Sequence, residues 1–309
     1  MSSYIAKWLR NLALALLAIP LLSGCGRQGE AGKTLTVGGK NFTEQYILAE
    51  LAKALLEAEG LSVNLKTGVS SPIIRKSLVN DQIDLYFEYT GTAYTVFHKQ
   101  SDPEIMRDPQ AVYRWVKERD AQEDLAWLEP LRFNNTYTLM LREAHAAKLG
   151  IETISDLADH VSEQPDDLVF AVGAEFWERP DGFKKLMDGY GFQPASRNIK
   201  KMSIGLTYKA LKEEEVDVAM GFNTDGRIAA FNFRSLQDDK GFFPVYNPAP
   251  VVRDEALKQH PVIRAALQPL AAELSTEAMR ELNKTVDIEH KSAKDVARQW
   301  LREQGLLAD

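Results

Sequence analysis

The stretch DLYFEYTGTAYT, residues 84–95, places four aromatic side chains among two carboxylates, three threonines and a glycine. Residues 83–89 are predicted to form a strand, so their side chains alternate between the two faces of a sheet. Gly91 offers a break in the strand where another part of the chain could come close. Composition alone favours an aromatic-rich core strand, but a strand that runs into a Thr/Gly turn would also suit the wall of a ligand site.

The segments around this stretch alternate between strand and helix, which predicts an α/β fold with βαβ units and mainly parallel sheets. Apolar residues recur at helical spacing in four segments, at residues 44–59, 71–80, 109–122 and 204–214. Short apolar strand patterns separate them, at residues 35–37, 63–66, 83–89, 133–139, 167–172, 216–220 and 231–236.

The sequence GGKNFTEQ, residues 38–45, is predicted as a Gly-Gly turn followed by a helix that Asn41 or Thr43 caps. Free backbone N–H groups and the positive end of a helix dipole attract anions at such a place, and Lys40 adds a full charge. The stretch matches neither GxGxxG nor GxxxxGK[ST], so no nucleotide site is predicted.

Composition places the chain among globular proteins, and composition and motifs together argue against several classes of function. It has 309 residues, 45% hydrophobic and 26% charged, which is enough for two domains with their own cores. The net charge of −7 and the lack of Lys/Arg-rich runs argue against nucleic-acid binding. There is no HExxH, CxxC or GxSxG motif, and the five histidines have no metal-ligand spacing. We therefore expect no catalytic residue, metal or cofactor.

Residues 1–24 have the pattern of a secretory signal, with two basic residues, an apolar run over residues 12–22 and small residues before Cys25. The run is too short for a comfortable transmembrane helix. The sequence LSGC also resembles the bacterial lipoprotein box, which implies cleavage before Cys25 and lipid attachment there. A plain signal peptide with an incidental cysteine is the alternative. Residues 25–32 are predicted to be a tether.

Two motifs together, residues 38–45 and DLYFEYTGT at residues 84–92, are similar to the substrate-binding proteins of osmoprotectant ABC importers, which bind glycine betaine, choline or carnitine. The turn FWERPDG at residues 176–182 is a further family-like motif. The resemblance covers about residues 33–308. It implies a two-lobed type II periplasmic binding fold, each lobe a mixed, mainly parallel sheet flanked by helices. The implied lobes comprise residues 33–132 with 246–309, and residues 133–245.

The resemblance also implies a ligand site made of an aromatic cage and a carboxylate clamp. A quaternary ammonium has no N–H to donate, but the faces of aromatic rings attract it. The family's cage carries over to Tyr89, Tyr137, Phe222 and Tyr246, and its clamp to Lys40, Thr92 and Arg179.

The residues themselves leave the role of Arg179 open. Pro180 suits the first position of a helix, which predicts Arg179 beside a helix N-terminus, where its charge is unfavourable unless an anion compensates. This favours contact with a ligand carboxylate. The alternative is a surface arginine paired with Glu178 or Asp181.

Three residues depart from the family pattern. Phe222 stands where tyrosine is usual, Asn135 where some members have an aspartate that helps to hold the cation, and Asn247 where another aromatic is common. Asn135 is retained among the predicted ligand-binding residues. These departures predict a less electronegative cage that binds glycine betaine weakly or prefers another ligand.

The resemblance implies a monomeric, lipid-anchored receptor in the periplasm or at the cell surface. It would bind a quaternary-ammonium solute and deliver it to an ABC permease and ATPase on separate chains. One alternative is a receptor for another amino acid-like or cationic solute. The other is a dehydratase-type enzyme on the same fold, for which Glu88 or Glu175 would have to serve as general acid or base.

Overall fold

The computed structural model describes residues 34–308, and the predicted signal, Cys25 and the tether lie outside the described residues. Within residues 34–308 the chain forms ten strands. They are β1 (Leu35–Lys40), β2 (Val63–Val69), β3 (Leu85–Tyr89), β4 (Leu125–Trp127), β5 (Tyr137–Arg142), β6 (Phe170–Gly173), β7 (Ile199–Met202), β8 (Val218–Phe222), β9 (Phe233–Ser235) and β10 (Pro248–Arg253). The strands of the second half, β5, β6, β8 and β9, begin two to four residues later than predicted.

Helices connect and cover these strands. They are α1 (Thr43–Ala58), α2 (Ser71–Val79), α3 (Thr90–Thr92), α4 (Pro103–Arg107), α5 (Pro109–Asp120), α6 (Glu143–Leu149), α7 (Ile154–Glu163), α8 (Ala174–Glu178), α9 (Phe183–Tyr190), α10 (Ile204–Lys212), α11 (Arg227–Ala230), α12 (Asp254–Gln259), α13 (Val262–Glu273), α14 (Thr276–Asp287) and α15 (Ala293–Glu303). A π-helical segment, Ala93–Phe97, continues α3, and 3-10 turns cover Ala121–Glu123 and Ser196–Asn198.

The strands form two five-stranded sheets with the same plan. The first has the order β2-β1-β3-β10-β4, with β1 parallel to β2 and β3, and β10 antiparallel to β3 and β4. The second has the order β7-β6-β8-β5-β9, with β6 parallel to β7 and β8, and β5 antiparallel to β8 and β9. The predicted α/β fold with mixed, mainly parallel sheets is therefore confirmed. We call each sheet with the helices packed on it a lobe.

Two chain segments, residues 128–136 and 236–247, connect the lobes and are bonded to each other. The backbone N–H of Asn135 donates to the carbonyl of Tyr246 (3.1 Å), and the N–H of Tyr246 donates to Oδ1 of Asn134 (2.8 Å). The side-chain amide of Asn247 donates to the carbonyl of Phe133 (2.7 Å). Paired connections of this kind suit a hinge between two lobes. The residue boundaries of the lobes given above stay a prediction.

The start of the chain's first helix differs from its prediction. Gly38 and its neighbour Gly39 belong to strand β1, not to a turn. A Cβ atom at Gly38 would lie 2.6 Å from Cδ1 of Ile74 and of Ile83, so this glycine lets the strand pack closely against these two side chains. Neither predicted residue caps α1, because its N-cap is Phe42 and the Thr43 hydroxyl donates to Asp287 instead (2.7 Å).

The predicted Thr/Gly turn after β3 is also wrong in form, because helix α3 and the π-helical segment begin there directly. The predicted close approach at Gly91 is confirmed. A Cβ atom at this position would lie 2.8 Å from the carbonyl oxygen of Val245 and from Cδ1 of Tyr246. The glycine thus allows the return connection between the lobes to pass next to the end of β3.

Candidate binding site

A cavity of about 260 Å³ lies where strands of both sheets end. Lys40, Tyr89 and Phe222 are the last residues of β1, β3 and β8, and ligands of open α/β sheets bind outside these carboxyl ends. The volume is just below the range of about 300–1,000 Å³ for pockets of drug-sized ligands, which suits a small solute. The structure brings all eight predicted ligand-binding residues to this cavity: Lys40, Tyr89, Thr92, Asn135, Tyr137, Arg179, Phe222 and Tyr246.

The four predicted cage rings belong to one connected wall. The ring centroid of Tyr137 lies 5.1 Å from that of Phe222 and 5.5 Å from that of Tyr246, which stands perpendicular to it at 89°. Phe42 links this group to Tyr89, since its centroid lies 5.2 Å from Phe222 and 6.2 Å from Tyr89. Sequence reasoning missed Phe42, although it stands inside the GGKNFTEQ motif. We call these five rings the aromatic wall.

Lys40, predicted as a clamp residue, is paired with a buried carboxylate. Its Nζ lies 2.5 Å from Oε1 of Glu88, and both side chains are almost fully buried. The second oxygen of Glu88 accepts a hydrogen bond from the Tyr86 hydroxyl (2.7 Å). Burial lowers the pKa of Lys40, while Glu88 acts in the opposite direction. The ammonium group also lies 4.9 Å from the ring centroid of Tyr89, so the first cation borders the wall.

The second predicted cation, Arg179, does not stand before a helix. It follows the last residue of α8, and α9 begins only at Phe183 with Gly182 as its N-cap. The predicted place of Pro180 at the start of a helix is therefore wrong. Arg179 lies at a helix C-terminus, where a positive charge is favourable. The argument from the helix dipole that Arg179 needs an anion, such as a ligand carboxylate, to compensate its charge therefore no longer applies.

The partner of Arg179 is Asp181, one of the two predicted alternatives, but the pair is buried and not on the surface. The guanidinium donates from Nε (2.8 Å) and NH2 (2.6 Å) to the two oxygens of Asp181. Burial alone would lower the pKa of Arg179, but Asp181 holds it above its ordinary value. The guanidinium carbon also lies 5.3 Å from the Tyr137 centroid and 5.9 Å from that of Tyr246.

Asp181 and Thr92 connect this cation to the rest of the cavity. Asp181 accepts from the hydroxyl of Tyr246 (2.7 Å) and lies 2.7 Å from the hydroxyl of Thr95. Thr92 accepts weaker bonds from Arg179 NH1 and NH2 at 3.4 and 3.3 Å. The two ion pairs, Lys40–Glu88 and Arg179–Asp181, together with Thr92, form what we call the charged clamp.

Asn135 and Tyr89 share a further buried carboxyl group, Glu44. The Tyr89 hydroxyl donates to Oε1 of Glu44 (2.7 Å) and accepts from the amide of Gln45 (3.0 Å), while the Asn135 amide donates to the same Oε1 (2.8 Å). Burial raises the pKa of Glu44 to about 7, against hydrogen bonds from Tyr89, Thr224 and Asn135. Sequence reasoning placed Glu44 in the first turn of a helix and gave it no role.

The paired sheets, their double connection and a ring-lined cavity at the strand ends define the class of two-lobed solute-binding receptors. Residues 33–303 match the family described as the substrate binding domain of the ABC-type glycine betaine transport system. The chain belongs to that family, which confirms the predicted resemblance. None of the helices within residues 34–308 is long and apolar enough to cross a membrane.

Three known proteins illustrate the similarity. A glycine-betaine-binding protein of Pseudomonas aeruginosa is 40% identical over 90% of each chain. An ergothioneine transport permease/ergothioneine binding protein of Helicobacter pylori is 36% identical over 96% of this chain, which spans 51% of that protein's length. The solved structure of a glycine betaine/carnitine/choline ABC transporter is 30% identical over 88% of this chain and 99% of the other, with a TM-score of 0.71.

Proposed function

We propose that this protein binds a quaternary-ammonium compatible solute similar to glycine betaine and delivers it to an ABC permease and ATPase on separate chains. The observation that carries this proposal is the convergence of five rings and two cations on one small cavity. Ring faces attract the methylated nitrogen, and the cations suit the acidic end of a zwitterion.

The free energies of cation–π contacts are large enough to supply a substantial part of a micromolar affinity. A cation–π contact contributes about 0.5–2 kcal/mol, depending on desolvation. Three or four such contacts supply several kcal/mol of the roughly 8 kcal/mol that correspond to micromolar binding. In this proposal the aromatic wall surrounds the nitrogen. Four of its rings are the predicted cage, Tyr89, Tyr137, Phe222 and Tyr246, and the fifth is Phe42.

The carboxylate of the ligand would meet Lys40, Thr92 and Arg179. Of these, Lys40 and Thr92 lie on the first lobe and Arg179 on the second. A ligand that touches both lobes favours the closed arrangement, because it gains contacts there that the open arrangement does not offer. A permease can detect that difference, which gives the receptor its role in import.

The proposal includes a monomeric lipoprotein held at the periplasmic or cell-surface side of a membrane by Cys25. It includes no catalysis, so the ligand is expected to be recovered unchanged after incubation. Mass spectrometry of the mature protein should find diacylglycerol on Cys25, and an unmodified cysteine would contradict the anchor without affecting the ligand site.

A second candidate ligand is a cation without a carboxylate, such as choline. One observation favours it: both clamp cations already face a protein carboxylate, Glu88 or Asp181, and the Glu175 carboxylate lies 4.0 Å from Arg179. These negative charges would repel a ligand carboxylate, whereas choline has no carboxylate to be repelled.

Isothermal titration calorimetry with glycine betaine, choline, carnitine, ectoine and ergothioneine tests the proposal. We expect glycine betaine to bind with micromolar affinity. Stronger binding of choline would favour the second candidate. Failure of all quaternary-ammonium compounds to bind would contradict the proposed function.

A further inference from the structure

The buried carboxyl group of Glu44 lies behind the aromatic wall and has no part in the proposed ligand contacts. Glu44 is 2% exposed. Its Oε1 accepts from the Tyr89 hydroxyl and the Asn135 amide, and its Oε2 lies 2.7 Å from the hydroxyl oxygen of Thr224. Glu44 belongs to α1 of the first lobe, whereas Thr224 follows β8 of the second. The cluster therefore joins the two lobes at the cavity.

The hydrogen bonds of this cluster lack one proton when Glu44 is ionised. The Thr224 oxygen lies within hydrogen-bond distance of Glu44 Oε2 and of Asn135 Oδ1 (3.1 Å), but a hydroxyl donates only one hydrogen. A proton on Glu44 Oε2 can be donated to Thr224, whose own hydrogen then reaches Asn135. Rotating the Asn135 amide by 180° does not remove the shortage, because its oxygen would then face Glu44 Oε1.

The charged groups around Glu44 also disfavour a further negative charge. On the side away from the wall, a second cavity of about 150 Å³ is lined by Glu44, Asp225, Arg227 and Asp287. Arg227 is bonded to Asp225 (2.5 Å) and lies 3.3 Å from Asp287, so these three residues carry a net negative charge before Glu44 is counted. From α14, Asn283 contributes a neutral amide that donates to the carbonyl of Thr224 (3.0 Å).

On the side towards the ligand cavity, the nearest charges belong to the Lys40–Glu88 pair, which lies beyond the Tyr89 ring and is itself neutral overall. Among residues 34–308, no cation on this side is bonded to Glu44. Burial raises the pKa of the group to about 7, against the hydrogen bonds that Glu44 accepts. The hydrogen missing from the cluster and the burial thus both favour the neutral acid.

We propose that Glu44 is a positioning residue for Tyr89 that is protonated in the closed form, so that closing the lobes over the ligand takes up one proton. This inference rests on the proposed function. Opening the lobes withdraws Thr224 and exposes the carboxyl group to water, where it ionises. With a closed-form pKa of about 7 and an ordinary value in the open form, the affinity should be about tenfold lower at pH 8 than at pH 6.

Proton uptake can be counted by calorimetry at pH 6.5 in two buffers of different ionisation enthalpy, with glycine betaine and choline as probes. The quaternary nitrogen of each probe carries no proton. Wild-type protein is expected to take up between about half and one proton per ligand bound. Glu44→Gln, which keeps the shape, should take up none and lose the pH dependence. Glu59→Gln, at the exposed C-cap of the same helix, is the matched control and should behave as wild type.

Binding without proton uptake, proton release, or equal uptake by Glu44→Gln would overturn the inference and leave the proposed function intact. Failure of both probes to bind would instead contradict the proposed function. If Glu44→Gln does not fold, carbon-13 NMR of the glutamate carboxyl groups of the wild type, with and without bound probe, decides. A resonance that titrates near pH 7 is expected in the ligand-bound protein and not in the ligand-free protein, and titration of every glutamate in the ordinary range in the bound protein would overturn the inference.

Discussion

The aromatic wall and the charged clamp face the same cavity but are stabilised differently. The wall consists of rings that contact one another edge to face, at a tilt or stacked, and four of the five also belong to or pack against one apolar core cluster. The clamp consists of cations whose charges are balanced by buried carboxylates. Removal of one ring from the wall costs ligand affinity, whereas removal of one partner from the clamp leaves an uncompensated buried charge. Substitutions in the wall should therefore change mainly the ligand affinity, whereas substitutions in the clamp should also change the stability of the fold.

The largest effect is expected from breaking a clamp pair. Arg179→Ala leaves the carboxylate of Asp181 buried without its cation and should lower the free energy of unfolding by about 3–5 kcal/mol. The double variant Arg179→Met, Asp181→Asn should recover most of this loss, because neither residue is then charged. Urea denaturation measures both. A double variant that is as unstable as Arg179→Ala would show that charge balance is not what the pair contributes.

The same clamp variant should also separate ligands. Arg179→Ala should weaken binding of carboxylate-bearing ligands much more than binding of choline, because only the former have an acidic end for the guanidinium to bind. Calorimetry at a temperature well below unfolding compares them. Equal losses for glycine betaine and choline would remove Arg179 from the clamp.

The next effect concerns Glu44, the one carboxyl group that supports the wall and has no cation partner among the described residues. Its pKa is raised from 4.5 to about 7, so folding favours the protonated form. This contribution to stability is complete below pH 4.5 and is lost as the pH rises to about 7, by an amount on the order of 3 kcal/mol. Urea denaturation at pH 5 and pH 7.5 in saturating glycine betaine, which holds the closed form, should show this loss in the wild type and not in Glu44→Gln. A parallel dependence in both proteins would contradict it.

Substitutions in the wall should have a smaller effect, and mainly on affinity. Tyr137→Leu and Phe42→Leu each remove one ring and should weaken glycine betaine binding by about 2- to 30-fold, which corresponds to about 0.5–2 kcal/mol. Phe231→Leu, which removes a ring outside the cavity, is the control and should bind as the wild type does. If Phe42→Leu also binds normally, Phe42 is only structural and the wall has four functional rings.

The smallest effect is expected from Phe222→Tyr, which restores the tyrosine typical of the family. The ring face that would contact the ligand stays in place, so glycine betaine affinity should change by less than about threefold. A change of more than tenfold, measured by calorimetry, would show that the missing hydroxyl and not the ring determines ligand preference at this position.

The same comparison separates what the sequence predicts well from what it does not. The cage residues could be placed because the resemblance to the family carries its cage over to them, and the α/β fold follows from the alternation of strands and helices. Phe42 was missed because it was read only as part of a helix start. The structure shows instead that the strand runs through both glycines and places the ring after it.

Asp181 was foreseen as an alternative partner of Arg179, but its burial and the pairing of Glu88 with Lys40 depend on contacts between distant or sharply turning segments. Glu88 meets Lys40 across 48 residues, only because β1 and β3 pair side by side. Asp181 meets Arg179 through a turn that the position of Pro180 did not predict. Glu44 lies in the first turn of α1, which ordinarily faces water, and the second lobe covers it. A charged residue in a strand buried on both faces, such as Glu88, is the signal that could have been used.

The most direct test of the account is a crystal structure of the protein with glycine betaine. The account predicts that the trimethylammonium nitrogen lies within about 6 Å of the ring centroids of Tyr137, Phe222 and Tyr246, with the carboxylate bonded to Arg179 or Lys40. A ligand bound outside this cavity, or one whose nitrogen points at the clamp instead of the wall, would contradict it.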